Sequence, residues 1–110
     1  MYAVLRHYRS PQLIDELAQN QDAIGQIISG IDGFVSYTLL RTEDGGITLS
    51  VYRDRAGAEE STRQAQAWTQ ANISPSAQSA AEVSQGEVIL HLDNGDYRNN
   101  RIVPPQETGG

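Results

Sequence analysis

Cysteine and lysine are both absent from the 110 residues. Without cysteine there can be no disulfide, no thiolate metal site and no Cys nucleophile. Without lysine the positive charge rests on eight arginines, set against 14 acidic residues for a formal net charge of −6. Phosphate backbones and anionic membrane surfaces attract runs of basic side chains. The chain has no such run, so neither nucleic acid nor a membrane is an expected partner. No apolar stretch approaches a membrane-spanning length, and Met1-Tyr2-Ala3-Val4-Leu5-Arg6-His7 lacks the long apolar core of a signal peptide, so a cytoplasmic location is expected. A chain of this length suits one domain, which hides roughly two-thirds of its unfolded surface without staples.

What is present reads as alternating strands and helices. Tyr2 to Tyr8 is rich in aromatic and branched residues and reads as a strand. Ser10-Pro11 is a helix start, with Ser10 as N-cap and Pro11 at a position where a missing N–H costs nothing. Leu13, Ile14, Leu17, Ile24, Ile27 and Ile28 recur at helical spacing, which predicts one helix to about Ser29, ended by Gly30. Phe34 to Leu40 and Ile47 to Tyr52 read as a hairpin around Glu43-Asp44-Gly45-Gly46. Asp54 is the expected N-cap of a second helix over Ala56 to Asn72, and Glu59 and Glu60 complement its positive end. Ser74 to Gln85 reads as loop, and Glu87-Val88-Ile89-Leu90-His91-Leu92 as the last strand, with Gly86 as a bulge.

The order β-α-β-β-α-β predicts an α+β, ferredoxin-like fold: a four-stranded antiparallel sheet with two helices on one face. Residues 1–92 form this domain, and 93–110 read as a polar C-terminal tail docked through Tyr97, Ile102 or Val103. Two helices leave one sheet face bare. Neither strand parity of the hairpin is rich in charge, so a second copy packed on the bare face is the expected cover. Which parity meets the helices is open at this point. If Thr48, Ser50 and Tyr52 do, a polar-lined pocket forms there; if Ile47, Leu49 and Val51 do, the space is solid core.

Several segments together resemble the dimeric α/β-barrel superfamily, of the antibiotic biosynthesis monooxygenase type. They are Tyr2-Ala3-Val4-Leu5-Arg6, Ile31-Asp32-Gly33-Phe34, Val51-Tyr52-Arg53-Asp54, Ala56-Gly57-Ala58-Glu59-Glu60-Ser61 and Ala67-Trp68. The resemblance covers Tyr2 to Leu92. It implies a homodimer whose sheets meet back to back, and a substrate cleft between sheet and helices. It also implies either cofactor-independent oxygenation of a small aromatic or quinol-like compound, or haem degradation. Haem-degrading relatives use an Asn on the first strand, a Trp on the second helix and a His about ten residues later. Here His7 stands near the Asn position, Trp68 matches the Trp, and Gln78 occupies the position of the iron ligand, so haem degradation is rejected. No cofactor and no metal are expected.

Within that frame His7 is the candidate base, and Trp68, Tyr37, Tyr52 and Ser61 are candidate substrate contacts. A neutral imidazole can take a proton near neutral pH, as ionising a phenolic substrate requires. Trp68 can stack on a flat ring, and the tyrosines can donate hydrogen bonds. The plain structural readings are a packed core Trp, strand tyrosines with edge hydroxyls, and a surface or hydrogen-bonded His. Arg6 reads as one half of a salt bridge rather than an anion site. Ser61 has no His-carboxylate relay, so it is not a nucleophile, and Gly45-Gly46 has no following helix or Lys to make a phosphate loop. Two further classes stand beside the oxygenase. One is a non-catalytic homodimer that binds a small hydrophobic molecule. The other is an RNA-recognition motif, which Gly46 to Tyr52 does not support because the basic and aromatic positions of that motif are missing.

Overall fold

The computed structural model describes residues 1–78 and 80–94. Tyr97, Ile102 and Val103 of the expected tail lie outside them. Seven elements follow in chain order: β1 (Tyr2–Tyr8), α1 (Pro11–Gln19), α2 (Gln21–Ser29), β2 (Phe34–Thr42), β3 (Gly45–Tyr52), α3 (Arg55–Asn72) and β4 (Glu82–Glu87). The sheet order is β2-β3-β1-β4 with every neighbouring pair antiparallel, which is the ferredoxin-like arrangement.

Both helix starts are capped as the sequence predicts. Ser10 Oγ accepts the Leu13 N–H at 3.2 Å and donates to the Ala77 carbonyl at 3.0 Å; Asp54 Oδ1 accepts the Gly57 N–H at 3.0 Å. The single helix expected up to Ser29 is two helices of nine residues each. The break falls at Asn20, whose φ of −110° and ψ of 25° leave the helical region. Its side-chain amide donates to the Glu16 carbonyl, the usual competition of Asn with the helix backbone. The break still keeps Leu13, Ile14 and Leu17 of α1, and Ile24 and Ile28 of α2, on the core side.

The last strand lies earlier than its composition suggests. β4 is Glu82–Glu87, not Glu87 to Leu92, and Gly86 pairs with Ala3 in regular register instead of forming a bulge. Antiparallel pairing matches Glu87 with Tyr2 and sends the Val88 N–H to the Met1 carbonyl. The β-like run after Val88 lies outside the sheet. Ile89 is 96% exposed.

The hairpin loop is Glu43-Asp44, and Gly45-Gly46 open β3 instead of forming the turn. At Gly45 a Cβ would stand 2.0 Å from the Tyr8 carbonyl oxygen, so the close crossing of the end of β1 over the start of β3 requires glycine.

Register fixes the sheet faces. Tyr2, Val4, Arg6 and Tyr8 of β1 align with Tyr52, Ser50, Thr48 and Gly46 of β3. Val4 and Tyr52 belong to the core cluster with Leu13, Ile14, Leu17 and Ala58, so this parity faces the helices. The Thr48-Ser50-Tyr52 set is therefore the inner one. Ile47, Leu49 and Val51 face away with Leu5 and His7. A bulge between Phe34 and Ser36 shifts β2 so that Phe34 meets Tyr52 edge-on at 6.0 Å, while Tyr37 and Leu39 point inward.

Candidate functional site: a cleft under the second half of α3

Helix α3 touches the sheet differently along its two halves. Near its start the contact residues are small: Gly57, Ala58 and Ser61 are buried, and a Cβ on Gly57 would come within 2.8 Å of the Asp32 carbonyl oxygen. Further along, Ala65 and Trp68 do not close the gap. Beneath them lies an apolar recess of about 30 Å³, walled by Leu17, Ile24, Ile27 and Ile28 of the first two helices and by Trp68 and Tyr37. That volume admits about two water-sized molecules. Arg6, Tyr8, Ala65 and Thr69 line both the recess and an outer cavity of about 490 Å³, which opens towards β4 past Gln66, Gln78 and Val83. The outer volume lies within the range of small-molecule sites.

The polar groups of this cleft come from the sheet floor. Arg6 is only 5% exposed, yet it has no salt-bridge partner among the described residues. The salt bridge expected of it is not formed. Its guanidinium donates to Thr62 Oγ1 of α3, and Thr62 in turn donates to the Ala58 carbonyl. Burial pushes the Tyr37 hydroxyl up to about 12 and raises that of Tyr8, with the Arg6 charge pulling the other way on both. Both phenols therefore stay protonated through the neutral range, as hydrogen-bond donors and not as bases.

The candidate residues separate on this geometry. Trp68 and Tyr37 meet at the recess. Tyr52 and Ser61 are fully buried core: Tyr52 donates to the Ile28 carbonyl at 3.4 Å and Ser61 to the Ala58 carbonyl at 2.7 Å. The structure puts His7 on the other side of the sheet, because it has the parity of Leu5 and not of Arg6. There its Nε2 is 3.2 Å from Asp44 and its Nδ1 3.4 Å from Glu82, two carboxylates that Arg9 also bridges at 2.9 and 3.0 Å. Hydrogen bonds from Thr42 and then His7 hold the Asp44 carboxyl below its usual range. His91 follows the end of β4 near the start of β1, at the opposite end of the sheet from His7. Among the described residues no group of three or more His, Asp or Glu is arranged to hold a metal ion. None is long and apolar enough as a helix to cross a membrane.

Neither a family model nor a curated protein sequence matches the chain. Solved structures do. The cofactor-independent oxygenase SnoaB from Streptomyces nogalater superposes with a TM-score of 0.62 at 18% identity, over 83% of this chain and 95% of that one. A protein of unknown function from Nitrosomonas europaea gives 0.64 at 16% identity, over 83% and 90%. The monooxygenase ActVA-Orf6 from Streptomyces coelicolor, solved with nanaomycin D, gives 0.57 at 13% identity, over 83% and 88%. The chain has the ferredoxin-like fold of these oxygenases. At such identities the likeness is one of fold.

The raised Tyr37 hydroxyl has a consequence for stability. Unfolded tyrosine ionises near pH 10, whereas in the folded state Tyr37 holds its proton to about 12. Between those values the unfolded chain binds fewer protons than the folded one, so stability falls as pH rises. Urea unfolding from pH 9 to 11.5 should show this alkaline loss, and Tyr37→Phe should remove a part on the order of 2 kcal/mol of it. An unchanged pH slope in the variant would contradict the burial of that hydroxyl.

Proposed function

We propose that the protein is a cofactor-independent oxygenase of a small aromatic or quinol-like compound, bound in the cleft between sheet and helices. The observation that carries this reading is the join of two spaces at one wall. The outer cavity is large enough for a fused-ring compound, and it shares Arg6, Tyr8, Ala65 and Thr69 with an apolar recess flanked by Trp68 and Tyr37. A flat ring in the outer cavity would present its edge to the recess, where a molecule the size of dioxygen fits and where apolar walls exclude water. The shared fold with SnoaB and ActVA-Orf6 supports the same class of chemistry.

In this chemistry the substrate is the reductant. An ionised ring passes one electron to dioxygen, and the two radicals combine into a carbon–oxygen bond. Protonation gives a hydroperoxide. Loss of water then converts a ring CH₂ into a carbonyl, so that CH₂ and O₂ become C=O and H₂O. The cleft supplies positioning, dryness and hydrogen bonds from Tyr8 and Tyr37. With His7 on the far side of the sheet, the proton leaves to solvent through the mouth.

A second reading is a non-catalytic module that binds a small hydrophobic molecule. It is favoured by the cleft's lack of a side chain poised to act as a base. Dioxygen uptake with anthrone-type and quinol substrates separates the two. The oxygenase reading expects saturable uptake that falls at least tenfold in Trp68→Ala. Uptake at background, together with ligand-induced changes in Trp68 emission, would replace it with the binding module.

The assembly proposed is a homodimer through the face the helices leave bare. That face carries Leu5 and Leu40, 36% and 43% exposed, beside the half-buried Ile47 and Leu49. A second copy would remove this apolar strip from water. Light scattering at micromolar concentration should give twice the chain mass, and Leu49→Glu should halve it. A monomeric mass for the unaltered protein would end the dimer proposal and leave the cleft untouched.

A further inference from the structure

The chain has 14 acidic residues and a net charge of −6, yet among the described residues no Asp or Glu lines the recess or the outer cavity. Among the described residues the one ionised side chain on those walls is Arg6. Burying a guanidinium costs several kcal/mol unless a counter-charge and hydrogen bonds offset it. At most sites the offset is a carboxylate. Among the described residues Arg6 has a single hydrogen-bond partner, the neutral Thr62 hydroxyl, although a guanidinium carries five N–H donors. The neighbouring phenols, Tyr8 and Tyr37, are held protonated by burial and supply no negative charge.

We infer that Arg6 is an anion-binding group of the cleft, and that the ligand is a flat aromatic molecule carrying a ring-attached oxyanion. This rests on the cleft reading above and narrows it to a substrate class. An oxyanion at the common wall of recess and outer cavity would occupy the unused donors of the guanidinium, in the short, charge-assisted bonds that Arg makes with planar oxygen pairs. The ring would extend into the outer cavity beneath Trp68. Because Arg6 is buried, its fixed positive charge also favours the ionised form of a bound phenol over the neutral one. The titratable groups facing that phenol are Tyr8 and Tyr37 from the strands, and α1, α2 and α3 contribute none. Arg6 thus takes over what the sequence assigns to a histidine base: it lowers the proton affinity of the ligand where the ligand binds. Specificity follows. A neutral ring of the same shape leaves the guanidinium buried without a counter-charge and is rejected.

The test uses the only tryptophan as its reporter. Quenching of Trp68 emission gives dissociation constants for 2-naphthoate, its neutral isostere 2-naphthamide, and 2-naphthol, on the full chain at pH 7. We expect 2-naphthoate to bind at least tenfold tighter than 2-naphthamide, and bound 2-naphthol to show the naphtholate absorption band at a pH where the free compound is neutral. The first result identifies the carboxylate as an accepted oxyanion, the second the phenolate. In Arg6→Gln the naphthoate preference should fall below threefold, and Arg6→Lys should keep part of it. Equal binding of naphthoate and naphthamide to the unaltered protein, or a full preference retained in Arg6→Gln, would overturn the inference while leaving the cleft as a binding site. Quenching by none of the three would overturn both. If Arg6→Gln does not unfold cooperatively, the naphthoate-to-naphthamide ratio on the unaltered protein and Arg6→Lys decides.

Discussion

Everything in the cleft depends on how closely one helix can approach one sheet. Gly57, Ala58 and Ser61 bring the first half of α3 down onto Tyr52, where a single added Cβ would strike the Asp32 carbonyl. The second half has no such closeness. Trp68 there lines a recess together with the isoleucines of α2. Close packing at the start of α3 and a cavity under its second half make its contact with the sheet uneven.

The same constraint explains the polarity of the sheet. A floor beneath a tight helix tolerates Ser50 and a buried Tyr52. Beneath a gap it can carry a guanidinium and phenols without crushing them against apolar side chains. Arg6, Tyr8, Tyr37 and Thr48 all lie under the gap. The outward face shows the opposite pattern, with Leu5, Ile47, Leu49 and Leu40 turned to the side that no helix covers. A buried guanidinium on the inner face and half-exposed leucines on the outer one depart from the usual partition.

Much of the fold was legible in the residues, because it is written in local signals. Ser10-Pro11 and Asp54 announced helix starts through their capping chemistry, and the alternating runs either side of Glu43-Asp44 announced the hairpin. Other features are set by partners distant in sequence. Val88 to Leu92 has better β-forming composition than Glu82 to Glu87, but the register with β1 pairs Glu82 to Glu87. Asn20 breaks a helix that apolar spacing alone would continue. For the site, Trp68 and Tyr37 were legible as large side chains on the right elements. His7 was not, since its face depends on a one-residue parity that Arg6, a charged residue pointing inward, disguises. Nor was the lack of an ion-pair partner for Arg6: only the arrangement in space shows that no carboxylate among the described residues pairs with it.

Collisional quenching of Trp68 by iodide and by caesium at equal ionic strength is the most direct measurement of an open cleft whose one charge among the described residues is a buried arginine. An electropositive pocket beside the indole predicts that iodide quenches several-fold more strongly than caesium, despite the net negative charge of the chain. Caesium quenching equal to or above that of iodide would contradict it.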